Sequence, residues 1–424
     1  MRAEIIAVGT ELLSPSRQDT NSLFITERLN GIGIEVGAKC IVGDDPATLS
    51  TVFVQALERA DLVILTGGLG PTDDDVTRDV VAGALRLPLE EDVGVVERIR
   101  QRFAARGWRM PEINRRQAMV PRGAVMLDNA NGTAPGLWIE QGPKAIALLP
   151  GPPREMMPMM DVLARDRLAP RAGGARLFRR ILRITGRSES HVDEAVHPLT
   201  AHWITDPTPV STTILASFGQ VELHLSARAY DECQAVERLE RCVMELRGVL
   251  GVDLYSWDGR TMEEVVGDLL KSRGLHIAAA ESCTGGLLTS RLTDVPGSSA
   301  YVERAAVTYS DASKSEMIGV PPDLIAEQGA VSEPVALAMA SGIRDTARVQ
   351  IGVGITGIAG PGGGSARKPV GTVAIAAVWE GRSRTKTFHF MGGREMVKFQ
   401  ASQAALDMVR RMLINAEFGM RKAE

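Results

Sequence analysis

The sequence predicts an α/β protein with three domains, and three observations support this fold class. Short apolar runs such as "EIIAVG" and "DLVILTGG" alternate with segments of helical periodicity, which is the pattern of parallel βαβ units. The chain has 424 residues, too many for one ordinary hydrophobic core. At "APRAGGAR" (residues 169–176) the alternation lapses among glycines and arginines, so we expect a linker there.

The three predicted domains follow in order along the chain. Residues 1–170 are predicted to form a parallel-sheet α/β domain that starts with the strand "EIIAVG". Residues 176–252 are predicted to form a smaller α+β domain, with the helical "SESHVDEAVHPL" between the β-like "RRILRITG" and "QVELHLSARA". Residues 258–424 are predicted to form a second α/β domain, which begins with the helix "TMEEVVGDLLKSRG" and ends with the long helix "REMVKFQASQAALDMVRRML".

Composition and charge exclude several classes of protein. The formal net charge is −4, so the chain has no general basic surface for nucleic acid or anionic membranes, and we expect no direct nucleic-acid binding. No apolar stretch approaches the ~18 residues that a membrane span needs, and no export signal is visible. The four cysteines form no CxxC pair, which argues against a structural zinc site or a disulfide framework. We expect a cytoplasmic protein.

The stretch "AAAESCTGGLLTSRL" (residues 278–292) is the main candidate for a catalytic site. An apolar strand ends at small nucleophilic side chains, and two glycines then open an amphipathic helix, whose N-terminus favours negative charge. Ser282 is the predicted nucleophile of an amide hydrolysis. The amide groups of Thr284, Gly285 and Gly286 are predicted to face the developing oxyanion. The alternative is a small turn that closes a core strand.

Cys283 is a rival nucleophile, because a thiolate at a helix N-terminus has a lowered pKa. A cysteine enzyme usually has a histidine nearby, but His276 lies roughly 20 Å away along the same strand at ~3.3 Å per residue. His389 falls in a later predicted strand, and nothing in the sequence indicates that it points inward. Ser282 is therefore the preferred nucleophile.

A serine without a histidine needs another base. Tyr309 and Lys314 follow a second apolar strand, in "VTYSDASKSEMIGV". A lysine acts as a base where burial or a neighbouring cation lowers its pKa toward neutrality. The residues alone do not distinguish Lys314 from Lys271 or Lys368, and a solvated helix-end charge is the ordinary alternative.

A glycine-rich region follows in "QIGVGITGIAGPGGGSARKPVGTVAIAAVW". Residues 352–357 spell GxGxxG, but the segment continues as a strand instead of opening a helix, so a dinucleotide fingerprint is not expected. A loop over residues 360–368 carries Arg367, Lys368 and many free amide groups, and is predicted either to bind a nucleotide phosphate or to be an ordinary hairpin. Thr356 is predicted to contact the substrate.

The N-terminal domain carries acidic residues after its predicted strands. "DLVILTGG" runs into "LGPTDDDVTRD", where three aspartates are expected to begin a helix. One interpretation is helix capping, with Thr72 as N-cap. The other is a divalent cation that relieves the repulsion between the carboxylates. Further acidic residues that also follow strands are expected on the same rim: Glu11, Asp44 and Asp45.

Several motifs resemble one known family across the full chain. "IIAVGTELL", "DTNS", "LTGGLGPTDDD", "NANGTAPGL" and "LLPGPPREM" resemble the molybdopterin-binding-like domain of the CinA (competence/damage-inducible protein) family, and "ESCTGG" and "GIAGPGGGS" resemble its C-terminal domain. The resemblance implies a KH-like middle domain, a homodimer and two activities. These are a metal-dependent ADP-ribose pyrophosphatase in the N-terminal domain and a nicotinamide mononucleotide deamidase without cofactor in the C-terminal domain. One departure is Ser14-Pro15-Ser16, where the family usually has a glycine-containing turn.

The resemblance also implies residue roles. The nucleophile falls on Ser282 and the base on Lys314, with Tyr309 alongside. The implied substrate-binding residues of the deamidase are Thr284, Gly285, Gly286, Thr356, Gly357, Gly360, Arg367 and Arg394. The predicted N-terminal site comprises Glu11, Asn21, Gly67, Gly68, Gly70, Thr72 and Asp75, and the predicted ligands of its divalent metal ion are Asp44, Asp45, Asp73 and Asp74.

A reading without chemistry is the alternative. In it, the N-terminal domain holds a pterin or a nucleotide, and the C-terminal domain binds a partner linked to competence or DNA repair. The middle domain lacks the GxxG loop with which KH modules clamp nucleic acid.

Overall fold

The structure is a computed structural model and describes residues 1–173, 175–217 and 219–420. The chain forms two compact units. One contains residues 1–178 and 227–236, and the other contains residues 179–226 and those from 237 onward. The predicted fold class is confirmed, because both units contain mixed sheets with parallel strands and packed helices. No helix in the described ranges is long and apolar enough to span a bilayer.

The N-terminal domain is built on a six-stranded sheet of order β2-β1-β3-β8-β7-β6, with a separate antiparallel pair of β4 and β5. The four strands β2, β1, β3 and β8 are parallel, and β7 and β6 extend the sheet as antiparallel strands. Its elements in chain order are β1 (Arg2–Val8), α1 (Asn21–Gly31), β2 (Glu35–Val42), α2 (Pro46–Arg59), β3 (Leu62–Thr66), α3 (Thr77–Leu85), β4 (Leu89–Glu91), α4 (Val93–Ala104), β5 (Met119–Pro121), β6 (Val125–Leu127), β7 (Gly136–Gln141), β8 (Lys144–Leu149) and α5 (Pro153–Leu163).

Three of the parallel strands of this sheet, β1, β3 and β8, are buried on both faces. Ile5 and Ile64 belong to one buried cluster, and Ile6 and Val63 belong to another, because successive side chains of a strand point to opposite faces. A sheet covered on both sides reads as a continuous apolar run, which is how "LVILT" appears in the sequence. The chain leaves β1 toward β2 and returns to β3 on the other side of β1, so the strand order reverses between β1 and β3.

The middle domain has a four-stranded sheet of order β10-β11-β9-β12. Burial alternates strictly along most of β11, as expected for a sheet with one packed face. Its elements are β9 (Arg176–Ile184), α6 (Glu189–Trp203), β10 (Val210–Ser217), β11 (Gln220–Ala229), α7 (Glu232–Leu250) and β12 (Leu254–Ser256).

The C-terminal domain has a five-stranded sheet of order β14-β13-β15-β16-β17. The first three strands in that order are parallel. β16 pairs with β15 in antiparallel fashion, and so does β17 with β16. The strand order reverses between β13 and β15. The elements are α8 (Met262–Ser272), β13 (Ile277–Glu281), α9 (Leu287–Thr293), β14 (Val302–Val307), α10 (Asp311–Ile318), α11 (Pro322–Gln328), α12 (Glu333–Ala347), β15 (Ile351–Gly357), β16 (Thr372–Trp379), β17 (Arg382–His389) and α13 (Arg394–Met420).

The GxGxxG spelling lies inside β15 and serves packing. A Cβ on Gly352 would lie 2.0 Å from the carbonyl oxygen of Ala340, and one on Gly354 would lie 2.3 Å from that of Ala336. These two glycines therefore let α12 pack directly on the strand.

Candidate active site

Ser282 lies at the carboxyl end of β13, beside the position where the strand order reverses. Ligands of open α/β sheets bind at this kind of position. The Ser282 amide donates to the carbonyl oxygen of Ile355 at 2.9 Å, which fixes the residue against β15. Its side chain is nearly enclosed, with the residue 8% exposed.

Glu281 organises the turn that carries Ser282. The residue is fully buried, and its carboxylate accepts hydrogen bonds from the amides of Gly286 (3.0 Å), Leu288 (3.1 Å) and Thr289 (2.9 Å) and from the Thr289 hydroxyl (2.6 Å). A carboxylate in this position satisfies the free amides at the start of α9 and complements its dipole. Our sequence analysis missed this residue. The available signal was a glutamate that ends an apolar strand directly before a helix.

Two of the three predicted oxyanion donors have acceptors within the turn itself. The Gly286 amide donates to Glu281, and the Gly285 amide donates to the Ser282 carbonyl oxygen at 3.1 Å. Both glycines have positive φ, +63° and +94°, so they shape the turn. Across the described ranges, the amide of Thr284 donates to no acceptor and its buried hydroxyl has no hydrogen-bond partner.

Lys314 projects from α10 to Ser282. The residue is 1% exposed, and its Nζ lies 3.5 Å from the Ser282 Oγ and 3.2 Å from the carbonyl oxygen of Thr308. Burial lowers the pKa of the Lys314 ammonium, while the Asp311 carboxylate, 3.6 Å away, acts in the opposite direction. Of the three candidate lysines, Lys314 is the one the structure places beside Ser282. Lys368 instead donates to the carbonyl oxygen of Gln328.

Cys283 lacks the properties of a nucleophile. Its side chain is buried in the core, and burial raises the pKa of the thiol to about 12. The thiolate is therefore scarce near neutral pH, contrary to the lowered pKa considered from the sequence. His389 lies on the edge strand β17, three strands from β13 and thus about 14 Å away at ~4.8 Å per strand.

Tyr309, Gly360 and Arg394 meet at the outer side of the site. The Arg394 guanidinium donates to the Tyr309 hydroxyl at 3.0 Å and to the Gly360 carbonyl oxygen at 2.7 Å. Tyr309 and Arg394 are exposed, so both are accessible to a ligand. Arg367 is exposed in the loop between β15 and β16.

Thr356 and Gly357 are held by internal contacts. The Thr356 hydroxyl is buried and donates to the carbonyl oxygen of Ala330 at 2.8 Å. A Cβ on Gly357 would lie 2.7 Å from a Val373 methyl group, so this glycine permits the close pairing of β15 with β16.

The N-terminal domain has a cleft of about 590 Å³ at the carboxyl ends of β1, β3 and β8. Asn21 spans it at one side, since its Nδ2 donates to the Gly151 carbonyl oxygen at 2.7 Å and to the Thr66 hydroxyl at 3.0 Å. Two lining carboxylates, Asp19 and Glu155, were missed in the sequence. Predicted residues that line the cleft are Glu11, Asn21, Asp44, Gly67, Gly68, Gly70, Asp74 and Asp75.

The structure separates the four predicted metal ligands: Asp44 and Asp74 line the cleft, whereas Asp45 and Asp73 do not. Asp45 is the N-cap of α2 and accepts from the Thr48 amide at 2.8 Å, and hydrogen bonds from the Thr48 side chain and amide lower the pKa of its carboxyl. Asp73 is 99% exposed and pairs with Arg116 at 2.7 Å. In the described part of the chain, no three His, Cys, Asp or Glu side chains are gathered so that they could hold a metal ion.

The helix predicted after "LTGGLGPT" begins later than expected. α3 starts at Thr77, so Thr72 is not its N-cap and the three aspartates precede it. The amide and hydroxyl of Thr72 both donate to the Asp75 carboxylate. The Thr77 hydroxyl donates to the Gly67 carbonyl oxygen at 2.8 Å, which ties the helix start to the end of β3.

Comparison with known proteins identifies all three domains. Family models match residues 4–170 (probable molybdopterin binding domain), 179–256 (damage-inducible protein CinA KH domain) and 259–413 (CinA C-terminal domain).

Full-length relatives agree with these matches. A CinA-like protein of Koribacter versatilis is 46% identical over 98% of this chain and 100% of its own length, and one of Acidobacterium capsulatum is 43% identical with the same coverage. Among solved structures, CinA from Thermoplasma acidophilum is 32% identical and covers 39% of this chain and 98% of its own, with a TM-score of 0.37. The identities of 46% and 43% over 98% of this chain show that the chain belongs to the CinA family.

Proposed function

We propose that the C-terminal domain hydrolyses the carboxamide of nicotinamide mononucleotide to nicotinic acid mononucleotide and ammonia, and so recycles pyridine nucleotides. The observation that carries this proposal is the buried pairing of Ser282 Oγ with Lys314 Nζ at 3.5 Å. A lysine taken out of water holds its proton less tightly, and its neutral amine can then activate a serine.

The reaction follows from this pair. The neutral Lys314 amine takes the Ser282 proton while Oγ bonds to the carboxamide carbon, and negative charge develops on the carboxamide oxygen. Lys314 then gives the proton to the leaving nitrogen, the C–N bond breaks, and ammonia departs from an acyl ester on Ser282. Water, deprotonated by Lys314, attacks the ester carbon. The bond between the acyl carbon and Ser282 Oγ then breaks, and Lys314 returns the proton to Oγ.

Two further features support this chemistry. The Thr284 amide has no internal acceptor in the described ranges and belongs to the same turn as Ser282, so it is our proposed donor to the oxyanion. Arg394 presents an exposed guanidinium beside Tyr309, which suits the phosphate of a mononucleotide.

The test is ammonia release from nicotinamide mononucleotide by the full-length protein and by Ser282→Ala. We expect turnover by the parent and a loss of at least about 10³-fold in the variant. The matched control is Cys283→Ala in the adjacent residue, which should keep most of the activity because its thiol is protonated near neutral pH. Full activity in Ser282→Ala would contradict the assignment.

The acidic cleft favours a second candidate function, cleavage of ADP-ribose at its diphosphate. Six carboxylates line the cleft: Glu11, Asp19, Asp44, Asp74, Asp75 and Glu155. They would repel a diphosphate unless a cation is bound. Because no three carboxylates of the described residues converge, such a cation would be held by one or two of them together with the diphosphate oxygens, which is how Mg²⁺ is commonly bound. A bound divalent cation would neutralise the charge of the diphosphate. Hydrolysis that persists in excess chelator would count against this candidate.

A further inference from the structure

A second large cavity lies within the second compact unit and contains none of the predicted site residues. It measures about 1060 Å³, and its walls are β17 and α13 of the C-terminal domain together with the β9–α6 connection and the adjoining ends of β10 and β11 in the middle domain. Cavities that bind small organic ligands usually measure about 300–1,000 Å³, so this one has room for a nucleotide.

One wall of this cavity is aromatic. The rings of Phe388 and Phe390 stack with centroids 5.2 Å apart and planes 9° apart, and both side chains are only partly buried. Met408 of α13 adds apolar surface beside them. Two partly exposed, parallel rings form a short aromatic stack that a heteroaromatic ring can extend.

The charges around the cavity are unevenly satisfied. Arg187 and Arg411 both bind Asp253 at 2.7 Å, so these guanidinium groups are already paired. By contrast, Arg384 and Lys386 of β17 have no carboxylate partner among the residues that the structure describes.

One of the two unpaired cations, Lys386, lies next to the aromatic wall. The Lys386 ammonium lies 4.9 Å from the centre of the Phe388 ring, so positive charge and the stacking surface are adjacent. The remaining carboxylates that line the cavity are Asp407, which pairs with Arg411 at 2.7 Å, and Glu189 at the start of α6. The side of the cavity near β17 is therefore basic.

We propose that this cavity binds a nucleoside monophosphate or a close analogue, with the base stacked on Phe388 and Phe390 and the phosphate bound by Arg384 and Lys386. A guanidinium and an ammonium are the usual protein partners of phosphate, and a planar ring gains most from a partly exposed aromatic pair. This site is separate from both sites described above and does not depend on the proposed deamidase activity.

The experiment is equilibrium dialysis of the full-length protein with radiolabelled adenosine 5′-monophosphate. We expect the parent to bind one more molecule per chain than the Arg384→Ala/Lys386→Ala variant, or to bind it at least tenfold more tightly. Adenosine and ribose 5-phosphate, which lack the phosphate and the base respectively, should compete at least tenfold more weakly. Arg382→Ala is the matched control, because Arg382 lies on the same strand but does not line the cavity.

The outcomes separate cleanly. Equal stoichiometry and affinity in the parent and the double variant would overturn the proposal, as would the absence of any binding. Phe390→Leu gives an independent second test, since it should weaken binding by removing stacking while keeping the charge. Circular dichroism of each variant shows that it is folded. A parent protein without deamidase activity would leave the dialysis result unaffected.

Discussion

The C-terminal and N-terminal sites occupy equivalent positions in their sheets but differ in how their polar groups are used. Ser282 follows β13 beside β15, and the N-terminal cleft opens at the ends of β1 and β3, so each lies where the strand order reverses. In the C-terminal site a buried lysine meets a buried serine. In the N-terminal cleft the carboxylates are separate, and Asp19, Asp44 and Asp75 accept hydrogen bonds from the protein's own backbone amides.

In both domains the strand order determines where the site lies, but in the C-terminal domain buried side chains also hold the site in a fixed geometry. The Glu281 carboxylate accepts four hydrogen bonds, and these hold the turn around Ser282. Asp44 and Asp45 each accept a single backbone amide, from Thr10 and Thr48 respectively, and no three acidic side chains of the described residues converge. Preorganisation of this kind is what catalysis by positioning requires.

Replacing the lysine should produce the largest effect. In Lys314→Met we expect the deamidase kcat/KM to fall by about 10²–10⁴, because the variant keeps the apolar stem but has no base. The measurement is steady-state ammonia release. Lys271→Met is the matched control, since that lysine is exposed on α8, outside the 360–368 loop, and its variant should retain activity. Equal losses in both variants would remove the distinction between the two lysines.

Glu281→Gln should destabilise the protein by about 2–4 kcal/mol, because one carboxylate oxygen becomes an amide donor that faces other donors in a buried place. The measurement is urea unfolding. Glu333→Gln is the control, because Glu333 also accepts bonds from Thr385 and Thr387 but is only partly buried, so its loss should be smaller. A larger loss of unfolding free energy in Glu333→Gln would show that the buried hydrogen bonds of Glu281 do not make it the more important carboxylate for stability.

The pH dependence should report the state of Lys314. The amine must be neutral to act as a base, and burial lowers its pKa from the ordinary value of 10.5. kcat/KM should therefore rise about tenfold per pH unit below the shifted pKa and level off above it. The sign for stability is the same. Between the folded and unfolded pKa values the unfolded chain holds more protons at this site, so stability rises with pH there. A rate that falls with increasing pH would exclude this role.

The sequence was enough to predict the order of domains and the strand that ends at Ser282, because these follow from local periodicity. It could not choose Lys314 over Lys271 or Lys368, since the choice depends on a contact between side chains 32 positions apart. It also misassigned Asp73, whose partner Arg116 is 43 positions away. The contacts of a polar side chain depend on residues that are distant in the chain, and the local periodicity of the sequence does not predict such contacts.

The smallest effect should separate two neighbouring aspartates of the N-terminal cleft. Asp74 lines the cleft, whereas Asp73 points to Arg116 and is almost fully exposed. If the cleft acts on ADP-ribose with a divalent cation, Asp74→Asn should lower that hydrolysis by about tenfold, the effect typical of altering one group close to a metal. Asp73→Asn should leave it unchanged, because a surface ion pair contributes little to either folding or the cleft. Magnesium-dependent hydrolysis by the two variants checks this. Equal loss in both variants would mean that the two aspartates act together as one acidic patch. The N-terminal activity would then depend on the total negative charge near the cleft and not on the position of a particular carboxylate.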